Sequence, residues 1–316
     1  MKRIIYIYII CFSAAKIIAQ QDPQYSLYQF NQMSINPAYA GAREAIAVVM
    51  DMRKQWVSFP GAPTTIDLTV HSPILNNKVG VGLNILSDQI GARSVTGVYG
   101  NFAYIAKLNN RLKLSFGLRA GYLNYNYNYS KVTYKDGNIA PETNNSKANS
   151  GNLDLDAGLF LKSNSFFFGL SITHLNSAIY NFSNYTSVPT STSTPINYTN
   201  SYQLNPHQFI VLGKSFAVNE NFLITPSFML KSVSTKQTVD FNLNFFIKKR
   251  VWLGVYVRQG FGPGFLAQFY VNDKLRIGYS YDTGLGSKRV LGASHEIMLG
   301  FDFKKYQSKS VTPRFL

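Results

Sequence analysis

The chain has 316 residues, 15% of them aromatic and 15% charged, with a single cysteine and a formal net charge of +16. One cysteine excludes a disulfide framework within the chain, and a basic balance without a basic helix or an aromatic platform leaves no nucleic-acid partner. Tyr and Phe dominate the aromatics and Asn and Gly are abundant, which suits half-apolar strands better than a helix-rich soluble enzyme.

Residues 1–19 read as an export signal, with Lys2 and Arg3 before a mostly apolar run from Ile4 to Ala15 and the small Ala19 at its end. Cys11 lies inside it, so the mature chain holds no thiol, and loss of Lys2, Arg3 and Lys16 lowers the charge to about +13. Beyond it there is no run of about 18 apolar residues, which excludes a helical membrane protein.

Residues 20–41 make a polar, aromatic segment that closes on Asn36-Pro37-Ala38-Tyr39-Ala40-Gly41. Asn36 suits a cap, Pro37 a first helical position and Gly41 a left-handed exit. From Ala42 the pattern becomes a strand ending in Arg53-Lys54-Gln55-Trp56, a Gly61-Ala62-Pro63 turn, and alternation at Ile66, Leu68 and Val70.

Fourteen strands are expected, over about 43–56, 63–74, 78–87, 93–108, 111–125, 152–162, 165–175, 204–217, 221–232, 237–248, 250–259, 263–271, 274–283 and 292–304. Their alternation is clean: Leu114, Phe116, Leu118 and Tyr122 share one face and Lys113, Ser115, Arg119 and Gly121 the other. Likewise Leu153, Leu155 and Leu159 oppose Asp154, Asp156 and Gly158, and Ile277, Tyr279 and Tyr281 oppose Arg276, Gly278, Ser280 and Asp282. A two-sheet sandwich would alternate in the same way, so turn lengths decide. Links after even-numbered strands are tight, as at Asn76-Asn77, Lys248-Lys249 and Asn272-Asp273, while those after odd-numbered strands tend to be longer. Short turns on one rim, long loops on the other and an even strand number describe an all-β, transmembrane outer-membrane β-barrel over residues 42–304.

Within it Pro226 removes a ladder donor, which predicts a bulge or a shifted boundary. The stretches 126–151 and 176–202 read as long exterior loops, either a contact surface for a secreted partner or tolerated insertions. Residues 305–316 read as a periplasmic tail. Lys and Arg at turns and strand ends, among them Arg53, Lys54, Lys78, Lys107, Lys248 and Lys249, are expected to meet anionic head groups of outer-membrane lipid. Trp56 and the strand-end tyrosines fit aromatic girdles.

Catalytic constellations are missing. The four histidines, His71, His174, His207 and His295, stand singly with no metal-ligand spacing. There is no nucleophile elbow, and Gly213-Lys214-Ser215 lacks the earlier glycine of a phosphate loop. His295 and Glu296 are neighbours on a strand and point to opposite faces. No enzyme, cofactor or metal is expected.

The run Asp22-Pro23-Gln24-Tyr25, Phe30-Asn31, Asn36 to Gly41, Lys54-Gln55-Trp56, Gly61-Ala62-Pro63 and His71-Ser72-Pro73 resembles the start of the PorP/SprF family. The resemblance continues to Gly278-Tyr279-Ser280-Tyr281-Asp282 and to Gly292-Ala293-Ser294-His295-Glu296. It implies an outer-membrane component of the type IX secretion and gliding machinery that works with other secretion components and with secreted cargo, commonly a large adhesin. Carried over residue by residue, it marks Asn36, Pro37, Tyr39, Gly41, Arg53, Trp56, Gly61, Pro63, His71, Gly278, Tyr279, Asp282, His295 and Glu296 as family-motif or partner-contact candidates. The competing function for such a barrel is a diffusion porin for small solutes. Fourteen strands enclose a hollow roughly 28 Å across, too wide for wall side chains to fill. Residues 21–41 are expected to fold against its lower part and act as a plug, the inward charges lining a channel or pairing with that plug.

Overall fold

The structure is a computed structural model that describes residues 22–132, 147–186, 196–287 and 291–303, without the side chains of 183–186 and 196–200. Strands β1 (Ile46–Lys54), β2 (Thr64–Ile74), β3 (Val79–Ile90), β4 (Arg93–Lys107), β5 (Lys113–Asn128), β6 (Lys147–Lys162) and β7 (Phe166–Thr173) form a meander. After a separate hairpin, β8 (Ile179–Thr186) with β9 (Ile196–Gln203), the meander resumes as β10 (His207–Lys214), β11 (Phe216–Asn219) and β12 (Phe222–Val233). It ends with β13 (Lys236–Ile247), β14 (Val251–Arg258), β15 (Gly262–Tyr270), β16 (Leu275–Asp282) and β17 (Ser294–Phe303). β1 pairs with β17 from Ile46↔Phe303 to Lys54↔His295, so the first and last strands close the sheet on itself. β7 pairs with β10, which spans the hairpin, and β10 and β11 are two halves of one wall strand along β12. The wall is therefore a closed antiparallel barrel of fourteen strands.

The polarity of the barrel is inverted relative to a soluble protein. Outward Leu118, Leu153 and Phe241 are 63%, 68% and 61% exposed, while inward Asp154, Arg276 and Glu296 are each 0% exposed. Period two divides each strand in this way, and a wall with lipid on one side and an enclosed hollow on the other keeps both halves satisfied. The fourteen strands and the two faces match the sequence expectation.

The tight turns lie on one rim, periplasmic by the outer-membrane pattern. At Lys248-Lys249 both φ angles are positive (47° and 54°) and the Arg250 N–H donates to the Ile247 carbonyl at 3.0 Å, the left-handed hairpin turn that matches strand twist. Pro226 stands in β12 beside the break at Ser215, between β10 and β11. The register is the same on both sides, Gly213↔Ser227 and Phe216↔Ile224. The missing N–H thus interrupts the neighbouring strand without shifting it, and the only shift falls later, between Ala217 and Asn219.

Two expectations are corrected. The stretch 176–202 is not a plain loop, because it carries β8 and β9, packed on the outer ends of β5 and β6: Tyr125 lies 4.4 Å from Tyr180 and 5.4 Å from Tyr202 between ring centroids. Arg53 is not at the lipid rim. It is 2% exposed and points inward, and its neighbour Lys54 is exposed on the opposite face. The export signal and the tail 305–316 lie outside the described residues.

Candidate functional site in the barrel lumen

Residues 22–41 touch inward groups from strands on every side of the ring, and Leu27, Tyr28, Met33, Ala38, Tyr39 and Ala40 are buried. A segment in contact with β1, β2, β7, β13, β14 and β17 at once lies inside the barrel. It does not stop at the lower lumen: Gly41 meets Gly80 at the start of β3 on the short-turn rim, and Asp22 meets His174 at the far end of β7.

At the short-turn end the fit is one of shape. The Asn36 carboxamide oxygen accepts from the Ala38 N–H at 3.0 Å and Pro37 opens the single helical turn Pro37–Tyr39. Asn36 Nδ2 donates to the Leu159 carbonyl at 3.0 Å, tying the turn to β6. Gly41 exits at φ 77° and its N–H donates to His71 Nδ1 at 3.1 Å. Tyr39 stands edge-on to His71 (5.6 Å) and Phe160 (5.2 Å). The wall makes room with glycine: Gly117 and Gly158 are a cross-strand pair, and Cβ atoms there would fall 2.1 Å from Ala38 N and from Asn36 Oδ1.

Toward the outer end charge takes over. Glu296 accepts from the backbone N–H groups of Ser26 (2.7 Å) and Leu27 (3.0 Å), and Arg53 bridges Glu296 (2.8 Å) and Asp282 (2.6 Å). Tyr256 donates to Asp282 at 2.6 Å, and Arg258 joins Asp240 (2.8 Å) to the Tyr25 carbonyl (2.8 Å). Deeper in, Asn31 donates to Asp51 at 2.7 Å and accepts from Thr69 at 2.8 Å. Arg53, Arg258, Asp240, Asp282 and Glu296 are thus paired with opposite charge, whereas Asp51 and Asp67 are met by the amide donors of Asn31 and Asn84; paired or hydrogen-bonded, a buried charge is tolerated. Phe30 lies 5.9 Å from Trp252, which stacks on Phe246.

A further cluster sits around Asp22. His174, whose φ is 59°, directs Nδ1 to Asp154 (2.7 Å) and Nε2 to Asp22 (3.0 Å), and its N–H donates to Asp156 (2.8 Å). His207 approaches the same Asp22 oxygen at 3.6 Å. Burial alone would lower the His174 pKa, but the Asp22 charge and the hydrogen bonds to Asp154 and Asp22 push it up to about 10. Burial would raise the Asp22 carboxyl; the His174 charge holds it well below the usual range instead. Two of the four single histidines, His174 and His207, therefore meet in space, which spacing along the chain did not reveal.

The structure thus gathers Asn36, Pro37, Tyr39, Gly41, Arg53, His71, Asp282 and Glu296 in the lumen, with Gly278 beside Leu27 and Met298. Trp56, Gly61 and Pro63 lie in the β1–β2 connection, where the Trp56 N–H donates to Ser294 Oγ at 3.2 Å, the Gly61 carbonyl accepts from Gly91 at 2.8 Å and the Pro63 carbonyl accepts from Gln55 at 3.0 Å. Tyr279 and His295 pair on the outer face at 2.7 Å, so Glu296 and His295 do face apart. Missed were the wall glycines Gly80, Gly117 and Gly158, whose only signal was their place on the polar face of a strand.

The family model for the type IX secretion system membrane protein PorP/SprF matches residues 17–301. The chain belongs to the PorP/SprF family. It is an outer-membrane barrel and a component of type IX secretion, associated with that system. No curated protein matches it. Among solved structures it is similar to a mutant of the TodX monoaromatic hydrocarbon channel (9% identity, TM-score 0.50, covering 88% of this chain and 94% of that one). It is also similar to the CymD monoaromatic hydrocarbon channel (10%, 0.49, 90% and 94%) and a FadL homologue from Pseudomonas aeruginosa (11%, 0.46, 89% and 95%). At such identities the TodX likeness speaks to the barrel fold alone. The PorP/SprF description concerns secretion.

Proposed function

We propose that this PorP/SprF barrel is a closed, non-enzymatic docking component that holds a secreted cargo protein at the cell surface, its lumen sealed by residues 22–41. The observation that carries this reading is how little room the segment leaves among the described residues: the lumen cavities beside Asp22 and Tyr25 measure about 50 and 20 Å³, enough for a few waters and not for a solute stream. Supporting it, a buried aromatic cluster that includes Tyr99, Tyr125, Tyr180 and Phe182 fixes the hairpin β8–β9 to the outer ends of β4 and β5, so that the hairpin is a preorganised platform rather than a loose loop.

Two measurements test the reading. In planar bilayers the intact protein stays closed, and an in-frame deletion of residues 22–41 opens it; equal conductance in both rejects the seal. Affinity purification from the native outer membrane brings down a secreted, surface-bound protein with the intact barrel, and deletion of 179–203 releases it. Recovery unaffected by that deletion rejects the hairpin as the docking platform, and barrel recovered alone favours the porin.

A further inference from the structure

The Asp22 cluster has features that charge pairing alone does not explain. His207 Nδ1 lies 2.9 Å from the Asn205 carbonyl, which can only accept, so Nδ1 carries the proton and Nε2 of the neutral ring presents a lone pair. That lone pair is 3.6 Å from Asp22 Oδ2, and two acceptors that face each other at this range call for a cation between them. His174 is arranged in the same way, with Nδ1 against Asp154 and Nε2 toward Asp22. A ring nitrogen held by a carboxylate or carbonyl while the other faces a shared centre is the outer-shell pattern of metal-binding histidines.

The distances agree. Around a tetrahedral zinc ion with ligand bonds of about 2.0–2.1 Å, donor atoms stand about 3.3 Å apart. Here the two His–Asp22 separations are 3.0 and 3.6 Å, and all three donor atoms lie within 4.8 Å of one another. The 50 Å³ cavity lined by Asp22, Thr173, His174 and Tyr99 has space for a water as fourth ligand. His174 and His207 are 4% and 1% exposed, and His174 occupies the left-handed region, held there by Asp156.

We propose that Asp22, His174 and His207 form a site for a divalent transition-metal ion of the zinc class, which ties the start of the lumen segment to the facing ends of β7 and β10. Two imidazoles and one carboxylate are borderline donors that suit zinc and its neighbours and not calcium or magnesium. The site stands whether or not the segment seals the pore, since it fixes one end of that segment to the wall.

The test uses the full mature chain without a polyhistidine tag, folded in detergent and titrated with Zn²⁺ by calorimetry, with Co²⁺ visible absorption as a second readout. One saturable equivalent per chain is expected. His207→Gln and Asp22→Asn abolish it, and Asp154→Asn, which removes only the orienting carboxylate, weakens it by about 10–100-fold. Heat-modifiable electrophoretic mobility shows that each variant has kept its barrel. Should a variant fail to fold, X-ray absorption of the zinc-loaded wild type decides: a shell of nitrogen and oxygen at about 2.0–2.1 Å with the multiple scattering of two imidazoles is expected. No saturable uptake by the folded wild type, an equivalent that survives both ligand substitutions, or a zinc shell without imidazole scattering overturns the proposal. None of these readouts is a conductance, so their failure is distinct from failure of the seal.

Discussion

The two halves of the lumen segment are held by different physics. From Asn36 to Gly41 the segment is locked by shape: a capped turn set against the glycine pair Gly117–Gly158, with Tyr39 wedged between His71 and Phe160. From Tyr25 to Asn31 it is held by charge and polar contacts, with its backbone N–H groups and carbonyls answered by Glu296 and Arg258. Shape tolerates no added atom but survives changes of salt and pH. Charge tolerates changes of shape but not the loss of one partner, because the survivor is then buried alone. The lumen therefore has a mechanical end and an electrostatic end, and substitutions at the two should fail in different ways.

The largest effect is expected at the mechanical end. A side chain at Gly117 would place Cβ 2.1 Å from Ala38 N, a backbone atom that cannot turn aside as a side chain can. Gly117→Val should cost more than the ~1–3 kcal/mol of an ordinary overfilled core. The least costly response is withdrawal of the segment from a wall that still closes. Heat-modifiable mobility should persist, Trp252 fluorescence should change as Phe30 leaves it, and protease should cut within 22–41. A variant that keeps the wild-type fluorescence and protection would show that the turn is less tightly seated than the contacts imply.

Next comes the electrostatic end. Glu296→Gln preserves volume but removes the charge that answers Arg53, and breaking a buried pair in this way costs about 3–5 kcal/mol. Arg53→Met combined with Glu296→Gln should cost less than the two single changes added together, with a coupling of about 0.5–3 kcal/mol in a double-mutant cycle. Urea unfolding of the detergent-folded chain reads both. Additive costs would mean that Arg53 and Glu296 act independently, each through its contacts with Ser26.

The sequence already held the local rules. Alternation separated Leu118 from Arg119 because lipid and lumen demand opposite polarity, and the order Asn36, Pro37, Gly41 carries cap, first turn and exit in the residue types themselves. What one strand cannot state is whom its inward face will meet. Gly117 and Gly158 read as ordinary polar-face glycines until register places them side by side under the Asn36 turn. Arg53 beside Lys54 reads as a basic strand end until strand parity sends one inward and the other out. His174 and His207 are far apart along the chain and join only because β8 and β9 form no part of the wall, so that β7 pairs directly with β10. Local chemistry was legible, and contacts across the ring were not.

The smallest effect is the most discriminating, because Asn36 uses both physical devices at once. Its oxygen caps Ala38 and its amide nitrogen donates to the Leu159 carbonyl, each at 3.0 Å. Asn36→Ala loses both, about 1–2 kcal/mol for a lost cap with its neighbouring bond. Asn36→Asp keeps the cap acceptor but turns a carboxylate oxygen toward Leu159 O, where only a donor is tolerated. If shape dominates at this end, the aspartate variant should match wild type within about 0.5 kcal/mol, since the side chains are nearly isosteric and the cap survives. If the bond to β6 matters as much as the geometry assigns, aspartate should be worse than alanine, because an unanswered buried charge costs more than a missing bond. Urea midpoints for the three proteins rank these outcomes directly, and the ranking expected is wild type, then alanine, then aspartate.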